Sequence, residues 1–201
     1  MPQTDPWDTA AASLSERGWH VWPDFLPPAA IAALAADCRA RDEAGELADA
    51  ATGRAAVRAA SPLRGDRTRW FDETALSAGQ AGYWLAMQTL RQTLNRRLLL
   101  GMETLEAHYA LYPPGAGYAR HRDRFRDNDA RVLSSVLYLN HGWNGSDGGA
   151  LRLHLPAGPY DVMPVGGTLA VFLSADIEHE VMPATRERLS IAGWFRRREL
   201  G

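Results

Sequence analysis

Gly117-Tyr118-Ala119-Arg120-His121-Arg122-Asp123 is the segment from which the architecture of this chain is read. In an extended strand residues i and i+2 face the same side, so a strand over Tyr118 to Arg122 sends His121 and Asp123 together toward one interior. An HxD pair alone is a weak signal. It gains weight from His179, 56 residues after Asp123 and just behind the apolar strand Leu169 to Leu173, and from Arg188, nine residues further on at the start of a last strand. Two imidazoles and one carboxylate occupy one face of an octahedral ferrous ion and leave positions open for a chelating cosubstrate and dioxygen. A hairpin turning through Met182 to Glu187 is expected to return the Arg188 guanidinium to the metal pocket.

On both sides of that segment the hydrophobic period is short. Glu106 to Tyr112, Val132 to Asn140, Ala150 to Leu155, Tyr160 to Pro164, Thr168 to Leu173 and Leu189 to Arg197 read as strands punctuated by Gly, Pro, Asn or Asp. Seven or eight short strands predict a sandwich or jelly roll. The first half reads differently. Thr9 to Glu16 suits a short helix, Trp19 to Trp22 a brief strand, and Pro28 with Ile31, Leu34 and Ala35 a second helix. Ser77 to Leu98 carries Trp84, Met87, Leu90, Leu94 and Leu98 at helical spacing, an apolar stripe suited to core packing. The expected class is α+β with a mainly β core and N-terminal helices buttressing one sheet, as a single domain over 1–201. Residues 1–104 are the helical support and lid region, and 105–198 the β core.

Composition narrows the function classes. With 201 residues, 46% hydrophobic and 23% charged, the chain can bury one substantial core. A net charge of -2 supplies no global basic field for nucleic acid or an anionic membrane, and Arg196-Arg197-Arg198 reads as a solvated tail. No run of about eighteen apolar residues and no leader-like apolar segment is present, so no membrane partner and a cytoplasmic location are expected. Cys38 stands alone in an Ala-rich helical stretch and reads as a small buried residue. All 22 basic residues are arginine, which excludes lysine Schiff-base chemistry and leaves arginine to hold any carboxylate. The arginine and alanine usage suits a GC-rich bacterial genome.

The donor set has a chemical logic. Two neutral imidazoles and one carboxylate leave ferrous iron a single positive charge, which attracts a dianionic keto acid that chelates through its 1-carboxylate and 2-keto oxygens. The far carboxylate then needs a partner, and Arg188 offers a planar fork, with Tyr138 or Tyr112 able to add a hydroxyl donor. Taken without the neighbouring motif, Tyr138, in Val136-Leu137-Tyr138-Leu139, reads as a core aromatic with a satisfied hydroxyl. His20, His108, His141 and His154 have no partner at ligand spacing and read as structural. Asp176 and Glu178 read as loop residues near His179.

The chain resembles the prolyl hydroxylases of the 2-oxoglutarate-dependent iron(II) oxygenase superfamily, particularly the hypoxia-type enzymes and their bacterial relatives. The resemblance runs in order through Leu63-Arg64-Gly65-Asp66, Trp70, Tyr112-Pro113, Gly117 to Asp123, Tyr138-Leu139-Asn140, Trp143, Gly148 to Arg152, His179 to Ala184, Arg188 and Trp194. It implies a double-stranded β-helix with His121, Asp123 and His179 as iron ligands, Arg188 and Tyr138 on the distal carboxylate of 2-oxoglutarate, and Tyr112 touching the cosubstrate. It also implies Asp66, Trp70, Arg131 and Trp194 at the substrate entrance, and a lid before Arg64. Dioxygen is the second cosubstrate and ascorbate a candidate reductant. The resemblance implies hydroxylation of a prolyl residue in a protein, with a translation factor such as elongation factor Tu as candidate substrate. A free amino acid or small metabolite, and a non-catalytic metal-binding β-sandwich sensor, are the alternatives. Asp123 itself favours hydroxylation, because a small residue there opens a position for halide in halogenating relatives. Two departures stand out. Ala192 replaces the hydroxyl residue expected four positions after the binding arginine, and the Tyr112 to His121 connection is one residue shorter.

Overall fold

Capping residues set the helices close to where the apolar period predicts them. In this computed structural model, which describes residues 5–50, 64–123 and 130–198, α1 (Pro6–Arg17) begins at Asp5. Its carboxylate accepts the Trp7 amide at 3.0 Å, and the helix ends at Gly18 with φ 81°. Then come β1 (Trp19–Trp22), α2 (Pro28–Glu43), β2 (Ala48–Asp49), β3 (Arg67–Trp70) and α3 (Ala78–Leu98). The last of these opens on a reciprocal cap between Ser77 and Gln80.

The remaining strands are β4 (Thr104–Tyr112), β5 (Tyr118–His121), β6 (Arg131–Tyr138), β7 (Leu151–Leu155), β8 (Gly158–Val162), β9 (Leu169–Leu173), β10 (Glu178–Val181) and β11 (Arg188–Arg196). They form two sheets, ordered β1-β9-β6-β11-β4-β3-β2 and β5-β10-β7-β8, with antiparallel pairing between neighbouring strands. This is the double-stranded β-helix expected from the sequence. The residues before 105 also supply β1, β2 and β3 to the larger sheet, of which only β1 is expected from the sequence.

Strand alternation divides the core in two. Odd-numbered residues of β4 and β11, among them Tyr109, Leu111, Leu189, Ile191 and Phe195, face the helices and pack with Leu14, Leu34, Met87, Leu90 and Leu94. Even-numbered ones face the smaller sheet, where Ala110, Tyr112, Tyr138, Leu151, Leu153, Phe172 and Val181 make a second cluster. Cys38 lies in the helix-side core. The helices make one face of the large sheet dry, and the other is left to line a cavity.

One expected element is corrected. β10 and β11 lie in different sheets, so Met182 to Glu187 is a crossover and not a hairpin. It is held by neighbours on both sides: the Met182 amide donates to the Ala150 carbonyl at 2.9 Å, and the Gly149 amide to the Pro183 carbonyl at 3.0 Å. Nine residues are enough to pass from one layer to the other, which sets His179 and Arg188 on opposite walls. The lid expected before Arg64 lies outside the described residues. Among the described residues no helix is long and apolar enough to cross a membrane.

Candidate active site

A close backbone approach places the first two donors. Gly117 leads into β5 where a Cβ would stand 2.6 Å from the Val181 carbonyl oxygen, so only glycine lets β5 lie this close to β10. The ladder then pairs His121 with His179 directly, and Asp123 follows two residues later. The three ligand atoms all lie within 4.8 Å of one another. Each histidine Nε2 stands 3.5 Å from an Asp123 oxygen, His121 at Oδ1 and His179 at Oδ2.

The tautomers follow from the other ring nitrogens. His121 Nδ1 lies 2.7 Å from the Ala119 carbonyl and His179 Nδ1 3.2 Å from that of Ile177. A carbonyl only accepts, so both Nδ1 atoms carry the proton and both Nε2 lone pairs point at the shared space. Burial pushes His179 down and keeps it neutral. Burial alone would raise Asp123, but in the acid range where the carboxyl titrates the positive charge of a protonated His179 and the hydrogen bond and charge from His121 outweigh it and hold the carboxyl well below its usual range. Two neutral imidazoles and one carboxylate converge on one small space, which is the donor chemistry that ferrous iron takes. Tyr118 stacks on His121 with ring centroids 3.7 Å apart, fixing the more exposed of the two rings.

Arg188 occupies the opposite wall at 1% exposure. Gly149, with φ +72°, runs so close to the crossover that a Cβ would lie 2.9 Å from that of Ala184, and its carbonyl accepts Arg188 Nε at 2.9 Å. Asn140 pins the same strand, accepting the Leu189 amide at 2.7 Å and donating to the Leu189 carbonyl at 3.1 Å. The guanidinium carbon lies 5.2 Å from the Tyr112 ring and 5.1 Å from that of Tyr138. Among the described residues it has no carboxylate partner, and both its Nη2 and the Tyr138 hydroxyl are buried without a hydrogen bond. Burial pushes the Tyr138 phenol up to about 12, against the pull of the Arg188 charge, so it stays a donor at neutral pH. A buried cation beside an idle donor calls for an anion with oxygens to share. The distal carboxylate of a keto acid fits that need.

Between the walls lies a cavity of about 890 Å³. Trp70, Arg131 and Trp194 all line it. Arg131 stacks 3.9 Å over the Trp194 ring, its Nε donates to Glu106 at 2.8 Å, and its Nη1 reaches the Asp123 carbonyl at 3.4 Å. Asp66 takes a different part. It is buried behind the wall and grips Arg64 through two hydrogen bonds of 2.6 and 2.9 Å, while the Arg64 guanidinium lies 4.8 Å from the Tyr118 ring that supports His121. Asp66→Ala leaves that partly buried cation without its carboxylate, so we expect a stability loss of about 2 kcal/mol, below the cost of breaking a fully buried pair because Arg64 also lines the cavity. Urea unfolding should report it as a lower midpoint at unchanged slope.

Three contributors escape a reading by motif. Glu106 anchors Arg131. Ser190 stands 3.3 Å from Arg188 Nη1, which supplies a hydroxyl two residues after the arginine although Ala192 lacks one at four. Period-two alternation from Arg188 could have found it. His108, read as structural, also lines the cavity.

The model of the 2OG-Fe(II) oxygenase superfamily matches residues 107–196. A prolyl-4-hydroxylase structure from Pseudomonas putida superposes with a TM-score of 0.88 at 48% identity, covering 96% of this chain and 100% of that one. A Trichoplax adhaerens prolyl hydroxylase, solved with a peptide of the hypoxia-inducible factor oxygen degradation domain, superposes at 0.86 and 24% identity, over 94% of this chain and 88% of that one. Human Egl nine homolog 1 is 28% identical over 192 residues, 90% of this chain and 44% of the relative. Mouse prolyl hydroxylase EGLN3 is 30% identical over 148 residues, 66% of this chain and 59% of the relative. The chain thus spans about half the length of these two curated relatives. Together, fold, site and similarity define the class: the chain belongs to the 2-oxoglutarate- and iron(II)-dependent oxygenase superfamily. Within that superfamily its place is among the prolyl hydroxylases.

Proposed function

We propose that this chain is an iron(II)- and 2-oxoglutarate-dependent dioxygenase that hydroxylates a prolyl residue in a protein and releases succinate and carbon dioxide. The observation that carries the reading is the buried Arg188, without a carboxylate partner among the described residues, beside the idle Tyr138 hydroxyl, on the wall opposite the His121, Asp123 and His179 cluster. His121, Asp123 and His179 would hold the iron, and the 105–198 region would form the catalytic core. When bound, the iron with 2-oxoglutarate supplies oxidative decarboxylation of the keto acid and insertion of one oxygen atom into a C–H bond.

The chain's own residues supply orientation. Arg188 and Tyr138 would anchor the distal carboxylate and so fix which end of the keto acid faces the iron ligands. Tyr112 would pack against the chain between its carboxylates. Burial of Arg188 and Tyr138 excludes water from the anchoring end, where it would weaken the ion pair. Asp66 through Arg64, and Trp70, Arg131 and Trp194 directly, would shape the entrance for a peptide. Ascorbate is proposed only as a reductant that keeps the iron ferrous.

A cavity of about 890 Å³ lined in part by Trp70 and Trp194 has room for one substrate residue beside the cosubstrate, whether in a chain or free, and the similarity to prolyl hydroxylases favours the chain. Elongation factor Tu is the first candidate to test, in the cytoplasm of a bacterium. Incubation of the ferrous enzyme with that factor and with whole lysate, followed by peptide mass spectrometry, should find a one-oxygen gain on proline. Oxygen gained only by a free amino acid would replace the protein-substrate reading with the small-metabolite one.

A further inference from the structure

Across the inward face of the large sheet the strand register lays out one row, Trp70 opposite His108 on β4, and His108 opposite Ala192 on β11. The His108 imidazole has its centroid 4.7 Å from the Trp70 ring at 74° and 5.4 Å from the Trp194 ring at 48°. Its Nδ1 lies 2.9 Å from the Tyr109 carbonyl, which can only accept, so the proton sits on Nδ1 and the lone pair on Nε2. The residue is 1% exposed. Nε2 has no hydrogen-bond partner among the described residues, yet it is not among the sealed orphan atoms, and His108 lines the cavity. The lone pair therefore opens on the space where the substrate would lie.

From this geometry we propose that His108 is a specificity-determining residue, whose Nε2 accepts a hydrogen bond from a backbone N–H of the peptide substrate. The inference rests on the prolyl-hydroxylase reading above and deepens it. Proline has no N–H of its own, so the donor is the amide of a residue flanking the target. Two tryptophans set the ring angle, and among the described residues no donor bonds the lone pair. Ala192 opposite, a methyl where the family resemblance expects a hydroxyl, leaves the imidazole as the acceptor in the row. Burial, helped by the Arg64 charge, lowers the His108 pKa to about 4, so the ring remains an acceptor through the neutral range. An amide arriving here between two tryptophans exchanges water for the imidazole, whereas a chain lacking that N–H leaves the acceptor unsatisfied.

The test compares wild type, His108→Phe and His108→Gln as iron- and 2-oxoglutarate-loaded enzymes. The probe is a library of blocked proline-containing peptides, each beside versions N-methylated at one flanking amide. We expect His108→Phe to raise the peptide KM by roughly tenfold, the worth of one neutral hydrogen bond, with KM for 2-oxoglutarate unmoved. His108→Gln, which keeps an acceptor, should recover part of the loss. N-methylation at one flanking position should cost wild type about as much as the Phe substitution does, and cost His108→Phe nothing more. Equal loss in the Phe and Gln variants, or an N-methylation penalty undiminished in His108→Phe, overturns the role of His108 alone. A wild-type enzyme that consumes 2-oxoglutarate but oxidises no prolyl peptide overturns the parent reading, and this inference with it.

Discussion

Arg188→Ala is expected to weaken 2-oxoglutarate binding by roughly 10²- to 10⁴-fold, the equivalent of about 3–5 kcal/mol, while iron binding persists. The guanidinium is held by the Gly149 carbonyl and Ser190 and has no carboxylate of its own among the described residues. The cation is thus placed in a dry wall without its counter-ion, an arrangement that costs stability until an anion arrives. A second outcome follows from the same geometry. Arg188→Met, which keeps much of the volume and removes the charge, should leave the ligand-free protein at least as stable as wild type while losing the cosubstrate. Stability and binding are expected to move apart, as they do where a residue is retained for function. Anaerobic titration of the ferrous protein, following the visible charge-transfer band of the chelate, measures the first effect, and urea unfolding the second. Unchanged cosubstrate affinity in both variants would remove Arg188 from the site and revive the metal-binding sensor alternative.

Asp123→Ala should cost more than about 100-fold in ferrous iron affinity, beyond the 10- to 100-fold that losing an outer hydrogen-bond partner of a metal ligand brings. Both Nε2 lone pairs would remain, because the Ala119 and Ile177 carbonyls hold the tautomers independently of the carboxylate. The loss is thus one of charge and of the third donor. Two neutral nitrogens leave the ion its full double charge, in a pocket also crossed by Arg131 and Arg64. Asp123→Asn should behave nearly as badly, since an amide keeps the shape and drops the charge. Anaerobic calorimetry with ferrous iron distinguishes this from a folding defect. Wild-type iron affinity in Asp123→Ala would place the metal on other ligands.

Much of this site is legible in the linear chain because strand alternation is local. His121 with Asp123, and Arg188 with Ser190, need only the rule that i and i+2 share a face. β10 is harder to see: Glu178-His179-Glu180-Val181 alternates partly buried and buried positions, but its outward residues are charged and its inward pair includes a histidine, so no apolar period marks it. β3 is a polar edge-side strand, Arg67-Thr68-Arg69-Trp70, recognisable only once β4 lies beside it. The hairpin expected between His179 and Arg188 failed for a related reason. Chain length alone permits either a return along the same sheet or a step to the other.

The linear chain carried which donors exist, their order, and which neighbours along one strand look the same way. It also carried the glycines at 117 and 149 that permit close approach, and the family to which the whole pattern belongs. Which wall each group stands on depends on strand pairing across the fold. His121 meets His179 through an antiparallel register, Arg188 faces them from the other sheet, and His108 comes between Trp70 and Trp194 through pairing of three strands. The physical reason is that register is non-local. It is set when the odd-numbered faces of β4 and β11 bury against the helices, and a slip of one residue would turn Tyr112, His108 and Arg188 away from the cavity.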